Sequence, residues 1–238
     1  MAKERLDKII ASMGHWSRRE VKQLVREGRV LVDGAIAGSA EEKYDAETAQ
    51  IHINGEALRY QRHTYLMMHK PAGVLSATED GHGRTVLDLL PEEYRRCGLF
   101  PVGRLDKDAE GLLLLTDDGA LAHELLSPKK HVDKVYYARV SGHLTQSDCE
   151  AFAAGITLGD GLVCQSAKLE ILSAGEESEA LVTVREGKFH QVKRMLASCG
   201  APVRYLKRLR MGPLVLDDAL APAAFRELTE EERKKLGK

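Results

Sequence analysis

The sequence predicts an α+β protein, with a small α/β module in front of a larger domain built on a mostly antiparallel sheet. Three observations carry this. Residues 1–60 hold two short amphipathic helical runs and then two strand-like runs, each strand ending at a tight-turn dipeptide, Asp33-Gly34 and Asn54-Gly55. Residues 59–63 (Arg-Tyr-Gln-Arg-His) break that pattern with a polar linker. Beyond them, strand and helix signals follow one another without strict alternation, which disfavours a doubly wound parallel sheet. The expected domains are therefore 1–60 and 64–238.

In the front module, Leu6, Ile9, Ile10 and Met13 recur at helical spacing, and Gly14 is a natural stop. Ser17-Arg18-Arg19-Glu20 is a capping box, in which the hydroxyl and the carboxylate each satisfy a free N–H of the first turn. Val21, Leu24 and Val25 give the second helix its buried stripe, and Gly28 ends it. Val30–Val32 and Ile51–Ile53 are the strands. In the second domain, strands are expected at Tyr65–Met68, Leu112–Leu115, Lys134–Val140, Ala167–Leu172 and Leu181–Arg185. Helices are expected at 120–126, at 147–154 behind a Ser147…Glu150 box, at 190–198, and at 229–236 behind Thr229…Glu232.

The chain has 238 residues, 43% hydrophobic and 30% charged, enough to bury a core. No apolar run approaches the ~20 residues of a membrane span, and MAKERLDKII lacks the apolar region of a secretory signal. The four cysteines show no CxxC spacing, so a disulfide framework or zinc site is not expected and a cytoplasmic setting fits. Net charge is −1, yet residues 1–30 carry eight Lys/Arg against four Asp/Glu, and residues 182–212 carry eight against one. Local fields steer a polyanion, so a nucleic-acid partner stays open. Arg18, Lys22 and Arg26 place three cations on one helix ridge without acidic partners nearby in sequence, an arrangement suited to phosphates.

The chemistry concentrates in two segments. In Gly103-Arg104-Leu105-Asp106-Lys107-Asp108-Ala109-Glu110-Gly111, glycines flank three carboxylates and two cations directly before a strand that reads as buried. A carboxylate there could be nucleophile or general base. Asp106 and Asp108 stand too close in sequence to make a convincing glycosidase pair. The nine histidines show no metal-binding spacing, so no metal is expected. Lys70-Pro71-Ala72-Gly73 lacks the frame of a phosphate loop. In the second segment, 185–196, Val192, Met195 and Leu196 form an apolar helix face, with Gln191, Lys193 and Arg194 expected to point elsewhere. A lone aromatic such as Phe189 is more often core than exposed. Arg204, Lys207, Arg208 and Arg210 extend the basic patch.

Two resemblances give these residues roles. Arg5-Leu6-Asp7-Lys8, Ser17-Arg18-Arg19-Glu20 and Glu27–Gly34 resemble the S4 RNA-binding domain over about residues 3–58, with Asp33-Gly34 replacing that family's usual Asn-Gly. GRLDKDAEGLLLLTDDG (103–119), Lys70-Pro71-Ala72-Gly73, Lys134-Val135-Tyr136 and EGKFHQVKRML (186–196) look like the ordered motifs of the RsuA-type pseudouridine synthases. That resemblance implies isomerisation of an rRNA uridine without cofactor, after the base is flipped from its stack. It implies Asp106 as the catalytic carboxylate, attacking C1′ or removing the 2′ proton, and Lys193 as the cation that keeps it ionised, with Arg194 second. Tyr136 would stack on the uracil and handle the C5 proton, Leu196 would pack beneath the base, and Arg104 and Lys70 would contact the substrate. Arg5, Arg18, Arg19, Lys22, Arg26 and Arg29 would bind RNA. The implied target is uridine 516 of 16S rRNA, free or in an assembling small subunit. Relatives with the same motifs modify 23S rRNA, and a non-catalytic S4-type assembly factor is the alternative class. A monomer away from membranes is expected. Ala109 departs from the family's Thr or Ser, a change expected to loosen the loop modestly.

Overall fold

The structure is a computed structural model that describes residues 3–238. The chain divides into two compact units, Met1–Thr64 with Leu87–Leu99, and Tyr65–Val86 with Phe100–Lys238. The sequence reading leaves Leu87–Leu99 inside the second domain. In the structure this stretch packs with the first unit, so closely that a Cβ on Gly14 would lie 1.9 Å from the Glu93 carbonyl oxygen.

In the first unit, α1 (Leu6–Ala11) and α2 (Arg18–Arg26) pack over a four-stranded sheet of β1 (Val30–Val32), β2 (Ala35–Ile36), β3 (Ile51–Ile53) and β4 (Glu56–Ala57). The Ser17…Glu20 box forms in both directions. Asp33-Gly34 and Asn54-Gly55 all have positive φ, as the expected hairpin turns require. The cation ridge differs from expectation. Arg5 and Arg18 both hydrogen-bond the wholly buried Asp7 carboxylate, and Lys22 and Arg5 share Glu41. Burial alone would raise the Asp7 pKa, but the Arg5 and Arg18 hydrogen bonds outweigh it and hold the carboxyl below its usual range. Acids distant in sequence thus neutralise much of a ridge that looks bare along the helix. Arg29 pairs with Glu27 and Asn54, whereas Arg19 is exposed and forms no ion pair among the described residues.

The second unit is organised by a nine-stranded sheet. Its central path is β8 (Lys168–Ser173), β9 (Glu177–Val184), β7 (Lys134–Ser141), β10 (Val203–Met211), β6 (Glu110–Thr116), β5 (Tyr65–Lys70) and β11 (Phe225–Glu227). All neighbours on this path are antiparallel except β10 and β6. Leu112–Leu115 are fully buried, because β6 lies between β10 and β5 rather than at an edge. One apolar cluster joins β7, β8 and β9 to α4 (Gln146–Ala154) and α5 (Gln191–Ser198). A second joins β5 and β6 to α3 (Gly119–Leu126). The box at α4 is Thr145…Asp148, two residues before the expected Ser147…Glu150. At the C-terminus, α6 (Glu230–Lys235) begins behind Thr229…Glu232 as expected.

The basic run at 204–210, which extends the basic patch in the sequence, is the middle of strand β10. Arg208 in it is only 1% exposed. The parallel pairing of β10 with β6 places Arg208 opposite Gly111. Gly111 has φ +106°, and a Cβ there would lie 2.3 Å from the Arg208 carbonyl oxygen and 2.6 Å from its nitrogen. The glycine that closes the 103–111 segment is therefore what lets the loop's strand dock against β10. Gly111→Ala should cost about 3 kcal/mol or more, measured as a shift in the denaturant midpoint. Wild-type stability in that variant would show that the two strands do not approach this closely.

Candidate active site

Three elements converge on Asp106. The loop before β6 carries Arg104, Asp106 and Asp108, β7 carries Tyr136, and the turn into α5 carries His190 and Lys193. The loop's backbone is pinned from below. Lys70, at the end of β5, is fully buried, and its Nζ donates to the carbonyl oxygens of Pro71 (3.0 Å), Asp106 (3.1 Å), Lys107 (3.3 Å) and Ala109 (2.8 Å). Ser76 Oγ donates to the Leu105 carbonyl and accepts from the Leu105 N–H, and the Gly73 N–H donates to the Lys107 carbonyl at 2.7 Å. Ala109 is 1% exposed, and its N–H closes a turn onto the Asp106 carbonyl. The backbone network around Ala109 is thus complete without a hydroxyl at this position.

Above the loop, Lys193 Nζ lies 2.9 Å from Asp106 Oδ2 and donates to Asp108 Oδ1 at 2.5 Å. Burial works to lower the Lys193 pKa, but the bonds to Asp108 and Asp106 outweigh it and raise the ammonium above its usual range. The Lys193 hydrogen bond holds the Asp108 carboxyl low. His190 Nε2 is 3.6 Å from Asp106 Oδ1, and the residue caps α5 with φ +48°. The turn is held by Gln191, which donates to Glu186 at 2.7 Å and accepts from the Lys188 N–H. Gln191 is 5% exposed, contrary to the expectation that it faces away from the core.

Asp106 and Tyr136 line two adjoining cavities, one of about 700 Å³ and one of about 80 Å³. Lys193, Val192 and Leu206 line the smaller, and Lys134, Phe189 and Arg208 the larger. Arg104 is exposed and borders both. Asp106, Tyr136, Lys193 and Arg104 therefore come together. The other expected residues do not. Leu196 is fully buried in the core and lines neither cavity, where Val192 and Leu206 supply the apolar wall. Arg194 turns to Asp160 at 2.5 Å. Lys70 is beneath the loop and cannot reach a substrate, because its donors are spent on backbone carbonyls.

Sequence reasoning gives no site role to His190 or Lys134, counts Arg208 only as part of a basic patch, and favours a core site for Phe189. Phe189 is 69% exposed and stacked on His190 with ring centroids 3.8 Å apart. The signal for Arg208 is a nine-residue strand pattern obscured by its own basic residues.

Burial lowers the Lys70 pKa to about 8 from 10.5, against the pull of Asp108, Asp106 and Glu110. Between these values the folded protein binds fewer protons than the unfolded chain, so this group makes stability rise with pH across that window. The full rise is roughly 3 kcal/mol. Lys70→Met should lack this rise, read as the wild-type-minus-variant difference in unfolding free energy from pH 8 to 10.5. It should also lose activity, since three loop carbonyls and that of Pro71 lose the ammonium that gathers them. Equal pH slopes in the two proteins would show that burial does not depress the Lys70 pKa.

Comparison with known proteins bears directly on this loop. The family described as RNA pseudouridylate synthase matches residues 64–198, and the S4 domain matches residues 4–48. An uncharacterized RNA pseudouridine synthase of Bacillus subtilis, YtzG, is 48% identical over 229 residues, covering 96% of each chain. The ribosomal small subunit pseudouridine synthase A of Vibrio cholerae is 41% identical over 229 residues, 96% of this chain and 97% of its own. A crystal structure of a pseudouridylate synthase superposes with a TM-score of 0.68 at 34% identity, covering 98% of this chain and 99% of that one. A family match that spans the Asp106 loop, Tyr136 and Lys193, within likenesses that run nearly end to end, places this chain among the RNA pseudouridine synthases that carry an S4 domain ahead of the catalytic one.

Proposed function

We propose that the protein converts one uridine of ribosomal RNA to pseudouridine, with uridine 516 of 16S rRNA as the target and Asp106 as the catalytic carboxylate. The observation that carries the reading is the Asp106 carboxylate on a cavity wall, held by Lys193 at 2.9 Å and flanked by Tyr136. The likeness to a small-subunit enzyme along nearly the whole chain supports the choice of 16S rRNA.

Reaching C1′ requires the uridine to leave its stack, at a cost of about a few kcal/mol that pocket contacts offset. The N1–C1′ bond then breaks, the uracil turns, and C5 bonds to C1′. C5 gives up its proton and N1 gains one, so atoms and charge balance without an external oxidant or reductant. Asp106 starts the reaction either by attacking C1′ or by removing the 2′ proton. In both routes it must be an anion at a fixed position, which the clamped loop and the Lys193 ammonium provide. Tyr136 offers a flat face to the uracil and a phenol to the C5 proton. The exposed Phe189–His190 stack offers a second flat surface to an unpaired base.

The front unit supplies electrostatic hold through cations that are not consumed internally, with Arg19 first among them. Arg19→Ala should weaken rRNA binding evenly across sequences and reduce the slope of log affinity against log salt by about one. An unchanged slope would place the phosphate contacts elsewhere.

The decisive experiment maps pseudouridine in total rRNA from cells with and without the gene, by carbodiimide modification and reverse transcription, with an Asp106→Asn complement. One stop at uridine 516 should vanish in the deletion, return with wild type and fail to return with Asp106→Asn. In purified form that variant should lose about three orders of magnitude or more in rate. A lost stop in 23S rRNA would move the target to the large subunit. No lost stop in either RNA would leave the S4-type assembly factor as the better account.

A further inference from the structure

The larger cavity contains cations that the reaction at Asp106 does not use. Lys134 and Arg208 both line it, 7% and 1% exposed, and they come from neighbouring strands in which Tyr136 is directly opposite Arg208. Arg208 donates from Nε to the Leu112 carbonyl at 2.8 Å, while its buried Nη2 has no hydrogen-bond partner among the described residues. A buried guanidinium N–H without an acceptor is costly and rare in a folded protein. Lys134 Nζ has a single contact, the Val132 carbonyl at 3.3 Å. Burial and the nearby Arg208 charge push its ammonium down, and the weaker opposing pull of Asp133 does not offset them.

The acids nearby are otherwise engaged. Asp133 is paired with Arg185 at 2.8 Å and faces Arg210 at 3.9 Å. Asp80, on the cavity wall, accepts from the His82 and Gly83 N–H groups. Asp106 is held by Lys193. Two buried positive charges thus line a cavity of about 700 Å³, and neither has an ion-pair partner among the described residues. The cavity shares its Asp106–Tyr136 wall with the small pocket that holds Lys193.

From this we infer that Lys134 and Arg208 form an anion subsite for the backbone phosphate attached to the target uridine's ribose. The inference rests on the reading that Asp106 faces C1′, since a ribose at Asp106 has its own phosphates within reach of the adjoining cavity. Arg208 is suited to the task because a planar guanidinium presents two parallel donors to a phosphate, and the low-dielectric floor strengthens the contact. Both cations serve as binding and positioning residues. They fix where the sugar rests relative to Asp106 and leave the base to other groups.

The test titrates the full-length protein with uridine 5′-monophosphate, uridine and inorganic phosphate, followed by protein-observed NMR, with thermal melts to confirm folding. Wild type should bind the monophosphate about ten-fold or more tighter than uridine, the equivalent of one charge-assisted contact. Lys134→Met and Arg208→Met should each reduce that preference, leave uridine binding unchanged and raise KM for RNA more than they lower kcat. Arg208→Lys should restore part of it. Should Arg208→Met not fold, Lys134→Met carries the test. The proposal fails if the monophosphate binds no tighter than uridine up to millimolar concentration, or if the preference survives both substitutions. It also fails if inorganic phosphate competes without perturbing the signals of Lys134, Tyr136 or Arg208. These results are separable from the reaction itself: an inactive wild-type protein that keeps the preference would sink the synthase reading alone, and an active one without it would sink the subsite alone.

Discussion

The catalytic unit depends on one buried ammonium. Lys70 reaches under the 103–111 loop and gathers the carbonyls of Pro71, Asp106, Lys107 and Ala109 onto a single nitrogen. Without the ammonium these inward-facing carbonyls would lose hydrogen bonds in a buried place, which favours opening toward water. The ammonium converts that liability into rigidity, at the expense of its own desolvation, which depresses its pKa to about 8. Because the Asp106 carbonyl is among those so held, its side chain leaves a fixed backbone. The adjoining close contact, Gly111 against the Arg208 backbone, fixes the loop's other end. The loop is therefore set from its backbone, and its side chains are free to be chosen for chemistry.

This explains how charge is distributed around the site. Cations below the loop bind backbone, as Lys70 does. Lys193 above it binds the two loop carboxylates. An arginine in place of Lys70 would be too large and too planar to meet four carbonyls arranged around one point, whereas an ammonium presents its donors around a single atom. Ala109 fits the same logic. Its side chain is part of the apolar core, its N–H and carbonyl are both bonded, and a loop organised through backbone contacts does not require a hydroxyl there.

Much of this was legible in the sequence wherever a local rule acts. The Ser17 and Thr229 boxes, the Asp33-Gly34 and Asn54-Gly55 turns and the buried Leu112–Leu115 strand all follow from interactions within a few residues, and the structure has each of them. The Asp106 loop was singled out by its glycines and carboxylates, and Lys193 by family resemblance. What was not legible depends on partners far apart in sequence. Arg18 reads as a free cation until Asp7, eleven residues earlier, is brought beneath it. Within the strand Val203–Met211 the sequence does not separate Arg208, which is buried on the cavity wall, from Arg204 and Arg210, which are exposed. Leu196 carries the apolar character expected of a base-packing residue, but helix phase turns it into the core and gives the wall to Val192 and Leu206.

A chain with net charge −1 that works on a polyanion is less paradoxical once its cations are sorted by what they face. Arginines whose partner is a wholly buried aspartate add less to the outer field than their number suggests: Arg5, Arg18 and Lys22 share Asp7 and Glu41, so most of their charge cancels at a distance. The same holds for Arg226, bound to Asp217 and Glu232. The cations that matter for a phosphate are those left over, among them exposed Arg19 and Arg26 in the front unit, and Arg104, Lys134 and Arg208 around the cavity. An exposed cation attracts RNA over a distance set by salt, about a Debye length, whereas a buried unpaired one acts only on a group that enters its cavity and acts there with little screening. The first kind governs arrival and tolerates any sequence. The second governs the position of one nucleotide, and that position is what the carboxylate held above Lys70 requires.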